Sequence, residues 1–204
     1  MRDHIAVMAL SFAAGVADVL GLLVLHVFAG AVTGNMAQLA IAIGSGHVLA
    51  ASRSLCAILA FALGALIGKA VGNNLRRLLL LELVCLVAAA VLYSAASPSP
   101  QGGLLYAIVT LLALAMGIRA RVAYGGGYSG TTTSVFTMTF VKVLSAPADN
   151  PTALRALVAF AAGGLLAATL APHSLAAVVW LPAVAVMVAI ACEERDANSN
   201  ASRA

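Results

Sequence analysis

Apolar runs alternate with short polar breaks along the whole chain, and six runs have the length of a membrane crossing: residues 5–27, 47–67, 78–96, 103–120, 153–171 and 175–192. A helix rises 1.5 Å per residue, so a hydrocarbon core of about 30 Å needs about 20 residues, with about 17 as a minimum. The periods between charges are long and no strand-like alternation interrupts them, which predicts an all-α polytopic membrane helix bundle with six transmembrane spans. Two inserts differ from these runs. Residues 29–45 and 122–144 are apolar but glycine-interrupted and rich in Thr or Asn, and each is predicted to be a short broken or re-entrant helix. Thr33-Gly34-Asn35 and Thr131-Thr132-Thr133-Ser134 read as helix starts, because Thr and Asn side chains accept hydrogen bonds from the unpaired first N–H groups, and glycine permits a sharp approach to them.

The Pro- and Ser-containing linker at 97–102 divides this single membrane domain into halves, 1–97 and 101–193, each with one span, one broken insert and two further spans. Three crossings is an odd number, so the second half starts on the opposite side from the first. The plan is a 3+3 inverted repeat, as in many secondary transporters. Residues 194–204 form a polar tail predicted to be disordered.

Composition excludes a soluble alternative. The chain is 63% hydrophobic and 9% charged, where soluble domains carry about 25% Asp, Glu, Lys and Arg. If neither insert crosses completely, every one of the 11 Lys and Arg residues except Arg53 falls at or near one side. The positive-inside rule then puts both termini in the cytoplasm and the protein in a bacterial inner membrane. The net charge of +4 reports that orientation, not nucleic acid binding. The run at 5–27 is far longer than a signal-peptide core of about 7–15 residues and is read as the first span. Cys56, Cys85 and Cys192 stand singly and read as small buried hydrophobes, with no disulfide framework and no metal site.

Asp18, deep in the first span, is the sharpest chemical feature. A carboxylate at a helix centre in the bilayer costs about 2.5–3.5 kcal/mol on insertion scales and turns toward protein or a water-filled cavity. Ser11, Ala14, Gly15 and Leu22 lie on neighbouring turns of roughly its face. Asp18 reads either as a proton, cation or polar-substrate site, or as a latch that accepts hydrogen bonds from the insert. Thr33, Gly34, Asn35 and Gln38 form a second constellation, whose N–H groups and positive helix end would meet Asp18 or an anionic group. Arg119, Arg121 and Lys142 read as interfacial cations or, for Arg119, as a buried one; Glu82, a turn or so inside the third span near Arg76 and Arg77, reads as an interfacial acid. His26 lies about 12 Å along the axis beyond Asp18, too far for a direct pair on a straight helix. The glycine-rich stretch at 124–130 lacks the lysine and preceding strand of a phosphate loop, and reads as a hinge or tight turn. Small residues four apart, Ala60, Gly64, Gly68 and Gly72 in one span and Ala159, Gly163 and Ala167 in another, allow close backbone approach within the chain or in a homodimer.

These features together have a precedent. Gly15 and Asp18 on a small-residue helix, then Phe28, Thr33-Gly34-Asn35 and a span with Gly64 and Gly68, resemble the YoaK family of small bacterial integral membrane proteins, a domain of unknown function (DUF1275). In that family the first insert carries Met-Thr-Gly-Asn, matched here by Val32-Thr33-Gly34-Asn35. The fourth span carries Gly-Met-Gln-Asn, where this chain has Gly117-Ile118-Arg119-Ala120. The resemblance supplies architecture but no reaction. The residues themselves point to a transporter or permease-like protein moving a small molecule or ion, with substrate-binding candidates Asp18, Thr33, Gly34, Asn35, Gln38, Arg119, Thr131, Thr132 and Thr133 and packing glycines Gly15, Gly64, Gly68, Gly72 and Gly163. A non-transporting scaffold that binds a partner is the alternative. No nucleophile, base or cofactor set for an enzyme stands out, and no cofactor is expected.

Overall fold

Helix after helix follows the apolar runs. The computed structural model describes residues 2–96, 100–124, 139–141, 143–145 and 149–201. Within these lie α1 (Arg2–Leu20), a π-helical turn (Gly21–Leu25) that continues it, α2 (Val32–Gly44), α3 (Val48–Val71), α4 (Leu75–Ala95), α5 (Gly102–Tyr124), α6 (Pro151–Val178) and α7 (Leu181–Ala201). Residues 139–141 and 143–145 are also helical.

Among the described residues, five stretches are long and apolar enough to cross a membrane: His4–Leu25, Val48–Val71, Leu75–Ala95, Gly102–Ala123 and Pro151–Val178. Each contains most of one of the first five expected runs. Their ends are set by local chemistry. Asn74 starts α4 by accepting the Arg77 N–H at 3.0 Å. Gly72, with φ of +79°, ends α3 in a conformation that residues with a Cβ rarely adopt.

The sixth expected run does not form one helix. Its first residues complete α6, which bends where Pro172 lacks an N–H and Ser174 leaves helical geometry (φ −157°, ψ 71°). A turn at Val179 and Trp180 follows, and α7 begins at Leu181 with Pro182 in its first turn. The apolar part of α7 ends at Cys192 and extends about 18 Å. It is therefore shorter than the other five.

The bundle is organised around α1 and α5. In each, 61% of the membrane-length stretch is buried, against 28% for α3 and 22% for α6. α1 packs between α6 and α7, α5 packs between α3 and α4, α4 also touches α7, and α2 lies against α3. The apolar core runs through all of these helices except α2.

Glycines decide how closely the main pairs approach. A Cβ on Gly15 of α1 would lie 2.9 Å from the Phe160 carbonyl carbon of α6 and 3.0 Å from Gly164 N, and closer still to the Phe160 oxygen. A Cβ on Gly117 of α5 would lie 2.9 Å from Ala65 N and 3.0 Å from the Gly64 Cα of α3, and closer still to the Phe61 oxygen. In return, Gly163 of α6 meets the Phe12 carbonyl of α1, and Gly64 of α3 meets the Leu114 carbonyl of α5. The same exchange of partners recurs at the helix ends: Thr152 Oγ1 is 2.9 Å from His4 Nδ1, and Ser52 Oγ is 2.5 Å from the Tyr106 hydroxyl. Gly68 also faces α5, its Cβ position 2.9 Å from Arg121 Cβ, whereas Gly72 meets nothing within 4 Å. The expected packing ridge therefore ends at Gly68.

Candidate functional site

The chain reverses just beyond Asp18. The π-turn ends at His26, which takes a left-handed conformation (φ 59°), and the Val27 N–H donates back to Gly21 O at 3.2 Å. Gly21 is required by this return, since a Cβ there would sit 2.6 Å from the Val27 oxygen and 3.2 Å from Ala29 N. Residues 26–31 then lie beside the last turns of α1, and the Gly30 N–H donates to Asp18 Oδ1 at 2.6 Å. Asp18 is only 4% exposed. Its carboxylate faces protein and accepts a hydrogen bond from the backbone of the first insert.

Asn35 locks the other arm of the same reversal. Its side-chain oxygen accepts the Phe28 N–H at 2.8 Å, and its Nδ2 donates to Phe28 O at 2.8 Å. The carboxamide thus pairs with both backbone groups of one residue, as a neighbouring strand would, satisfying a donor and an acceptor that the reversal leaves out of any helix. Gly34 makes room for the Phe28 ring, which would be 2.7 Å and 2.8 Å from an added Cβ. Asn35 is buried, while Thr33 is exposed and Gln38 half-buried. Gln38 Oε1 is buried without a hydrogen-bond partner. The Thr33-Gly34-Asn35 motif therefore divides its work: Gly34 and Asn35 hold Phe28, and Thr33 is left at the surface of the bundle.

A second polar cluster lies at the crossing of α1, α4 and α5. Arg119 and Glu82 are both fully buried. Arg119 Nη2 donates to Glu82 Oε1, and its Nη1 donates to the Leu10 carbonyl of α1. Ser11, also fully buried, follows Leu10 in the chain. Glu82 is thus no interfacial acid, and Arg119 does not reach for headgroups; each is the other's counter-charge inside the bundle. A charge near the end of one helix is interfacial only if no neighbouring helix covers it, and here α4 and α5 cover each other's. The usable signal was that one acid and one base of opposite sign sit at similar depth from the same side in consecutive spans. Arg121, two residues nearer the end of α5, donates to Asn73 Oδ1 at 2.8 Å in the α3–α4 connection.

The threonine-led start of the second insert at Thr131, Thr132 and Thr133, the glycine-rich stretch at 125–130 and Lys142 lie outside the described residues. Among the described residues no group of three His, Cys, Asp or Glu side chains could hold a metal ion.

Among known proteins, the model of a family described as "Protein of unknown function (DUF1275)" matches residues 6–192. The chain is 29% identical over 203 residues to the UPF0700 transmembrane protein YoaK of Bacillus subtilis (strain 168), covering 87% of this chain and 88% of that one. No solved structure matches.

Proposed function

The chain belongs to the DUF1275 family of proteins of unknown function, and on that footing we propose that it is a small inner-membrane transporter moving a solute through a central site beside Asp18. The observation that carries this reading is the buried carboxylate, 4% exposed, bonded to the backbone of a helix interruption. Interrupted helices at membrane depth leave free backbone groups, and transporters use such groups beside an ionisable side chain to bind solutes and ions. In this reading Asp18, Gly34, Asn35 and Gln38 form one wall with Thr33 at its edge, and Arg119 stands nearer the cytoplasmic side.

An inverted repeat is part of the proposal. What supports it is the reciprocal packing. Phe12 and Gly15 on α1 have the same spacing as Leu114 and Gly117 on α5, and Phe61 and Gly64 on α3 the same as Phe160 and Gly163 on α6. In this arrangement the apolar stretch of α7, with the residues before it, completes a sixth crossing, and the arginine and lysine distribution sets both termini in the cytoplasm. Because Asp18 is already engaged by Gly30, a purely structural latch is the competing reading.

The two readings separate in proteoliposomes. Purified protein is screened for counterflow of labelled organic acids, amino acids and sugars, and the active solute is then tested with Asp18→Asn. Loss of flux in a variant that still inserts and elutes as a folded species is the expected result. Flux at the full rate, with only a lowered unfolding temperature, would leave Asp18 as a latch and remove the basis of the proposal.

A further inference from the structure

The Glu82–Arg119 cluster contains more polar capacity than it uses. Two of its buried atoms, Glu82 Oε2 and Arg119 Nε, have no hydrogen-bond partner among the described residues. The pair joins through one oxygen and one nitrogen, so a carboxylate-guanidinium fork that could be closed twice is closed once. Nor does the packing of the helices require a charge here. Arg119 stands two residues after Gly117 on α5, and the residue two after Gly15 on α1, in the matching contact, is Ala17, which is fully buried. A buried ion pair is a poor source of stability, because desolvation offsets most of its attraction. A half-used pair retained inside a membrane protein is instead the usual form of a proton or ligand site.

We propose that Glu82 and Arg119 form an intramembrane site that takes up one proton together with one small carboxylate anion, Glu82 serving in the resting state as an internal substitute for that anion. The proton comes from water and forms an O–H bond on Glu82. The neutral acid no longer balances the guanidinium, so the cluster gains one positive charge. An external carboxylate then accepts from Arg119 Nη2 and Nε, the edge of the fork that is only half engaged, and restores neutrality. Nη1 keeps its bond to the Leu10 carbonyl and holds the guanidinium in place. The inference deepens the transport reading by naming a coupling ion and a substrate class, and it concerns a different carboxylate from Asp18.

The groups around Glu82 are few. Among the described residues the charge facing it is Arg119 on α5; α1 contributes the Leu10 carbonyl that accepts from Arg119, and α4 itself the Cys85 thiol less than a turn further on. α7 brings Glu193 and Glu194 to the end of α4 where Arg76 pairs with Glu194 at 2.9 Å, and α3 carries Lys69 in its last turn. Glu82 lies about 10 Å inside the start of α4 and Arg119 about 8 Å inside the end of α5.

Infrared difference spectroscopy of the purified protein, as a function of pH, reads the protonated carboxyl directly and needs no transported solute. The expected result is an acid carbonyl band that appears on lowering the pH, persists in Asp18→Asn, disappears in Glu82→Gln and moves in frequency in Glu82→Asp. Adding benzoate should raise the midpoint by about one pH unit per tenfold increase in concentration once the site is saturating, since the anion binds the protonated form. Arg119→Gln should abolish that displacement. If Glu82→Gln does not fold, Glu82→Asp and the neutral double variant Glu82→Gln/Arg119→Gln carry the test. Absence of a titrating band, a band unchanged in the Glu82 variants, or a midpoint indifferent to benzoate would each overturn the proposal. None of these outcomes depends on flux at Asp18, so the two proposals fail separately.

Discussion

Replacing Gly117 with alanine adds one methyl group where α5 crosses α3. The new Cβ would lie 2.9 Å from Ala65 N and 3.0 Å from Gly64 Cα, with the Phe61 oxygen nearer still. Ordinary contacts of this kind begin near 3.4 Å. The obstacles are backbone atoms of a helix, which cannot rotate away as a side chain would, so α3 and α5 must separate by at least about 0.5 Å. A gap of about 0.5–1 Å forfeits a quarter to a half of each dispersion contact along the crossing, and overpacking of this kind costs about 1–3 kcal/mol. We expect a loss of about 2 kcal/mol for Gly117→Ala. The reciprocal contact on α1, where Gly15 meets Phe160 and Gly164, has nearly the same geometry, so Gly15→Ala should lose a similar amount. Gly103, also helical but with nothing within 4 Å of its Cβ position, is the control. Its alanine variant should be neutral or more stable by about 0.4–1 kcal/mol through restriction of the unfolded chain. Reversible unfolding in mixed detergent micelles, followed by circular dichroism, measures all three. Equal stability of the alanine variants at 15, 103 and 117 would refute the claim that backbone approach at these glycines holds the bundle.

Two other predictions use the same instrument. Asn35→Asp keeps an acceptor for the Phe28 N–H but turns the donor that faces Phe28 O into a second acceptor. It should cost about 2–3 kcal/mol, the loss of a hydrogen bond plus a buried unsatisfied group, and should speed hydrogen exchange at residues 26–31 selectively; uniform exchange would count against the locking role. At the end of α7, burial raises the Glu193 carboxyl above its ordinary value of 4.5, with Arg76 opposing the shift and Glu194 adding to it. A raised folded value means that the fold favours the protonated form. Stability should therefore fall as the pH rises from 4.5 through that raised value, and the fall should be smaller in Glu193→Gln. An identical pH profile in both proteins would exclude Glu193 as its source.

Much of the architecture could be read from residue pattern alone, because in lipid every backbone group must be satisfied within a helix and long apolar runs have few other fates. The short helix of the first insert was legible for the same reason, since its apolar run is too interrupted for a span, but its start was not: α2 begins at Val32 after Ala31 with no side-chain cap, so neither Thr33 nor Asn35 caps it. Pattern did not disclose what Asn35 bonds. Its partner is the peptide of Phe28, and such a pairing depends on the path of the reversal rather than on any local preference. The division of α6 from α7 was hidden because Leu175 to Val178 are as apolar as the opening turns of α7, and the bend at Ser174 is a backbone event with no mark in hydropathy beyond Pro172. The burial of Glu82 and Arg119 is not legible in this way, because burial near a helix end is a property of the neighbouring helices and not of the helix that carries the charge.

The choice of partners among the helices has a consequence for how the protein is made. α1 finds its closest neighbours in α6 and α7, and α3 finds its closest in α5, so the first helix has its counterparts among those synthesised last, whereas α3 meets its own partner earlier. While the later part is still on the ribosome, the grooves at Gly15 and Gly64 have only lipid to fill them, and Glu82 stands in the bilayer with no cation beside it. Biogenesis is therefore staged, since α3 and α4 can close on α5 once it is inserted while α1 must wait for α6 and α7.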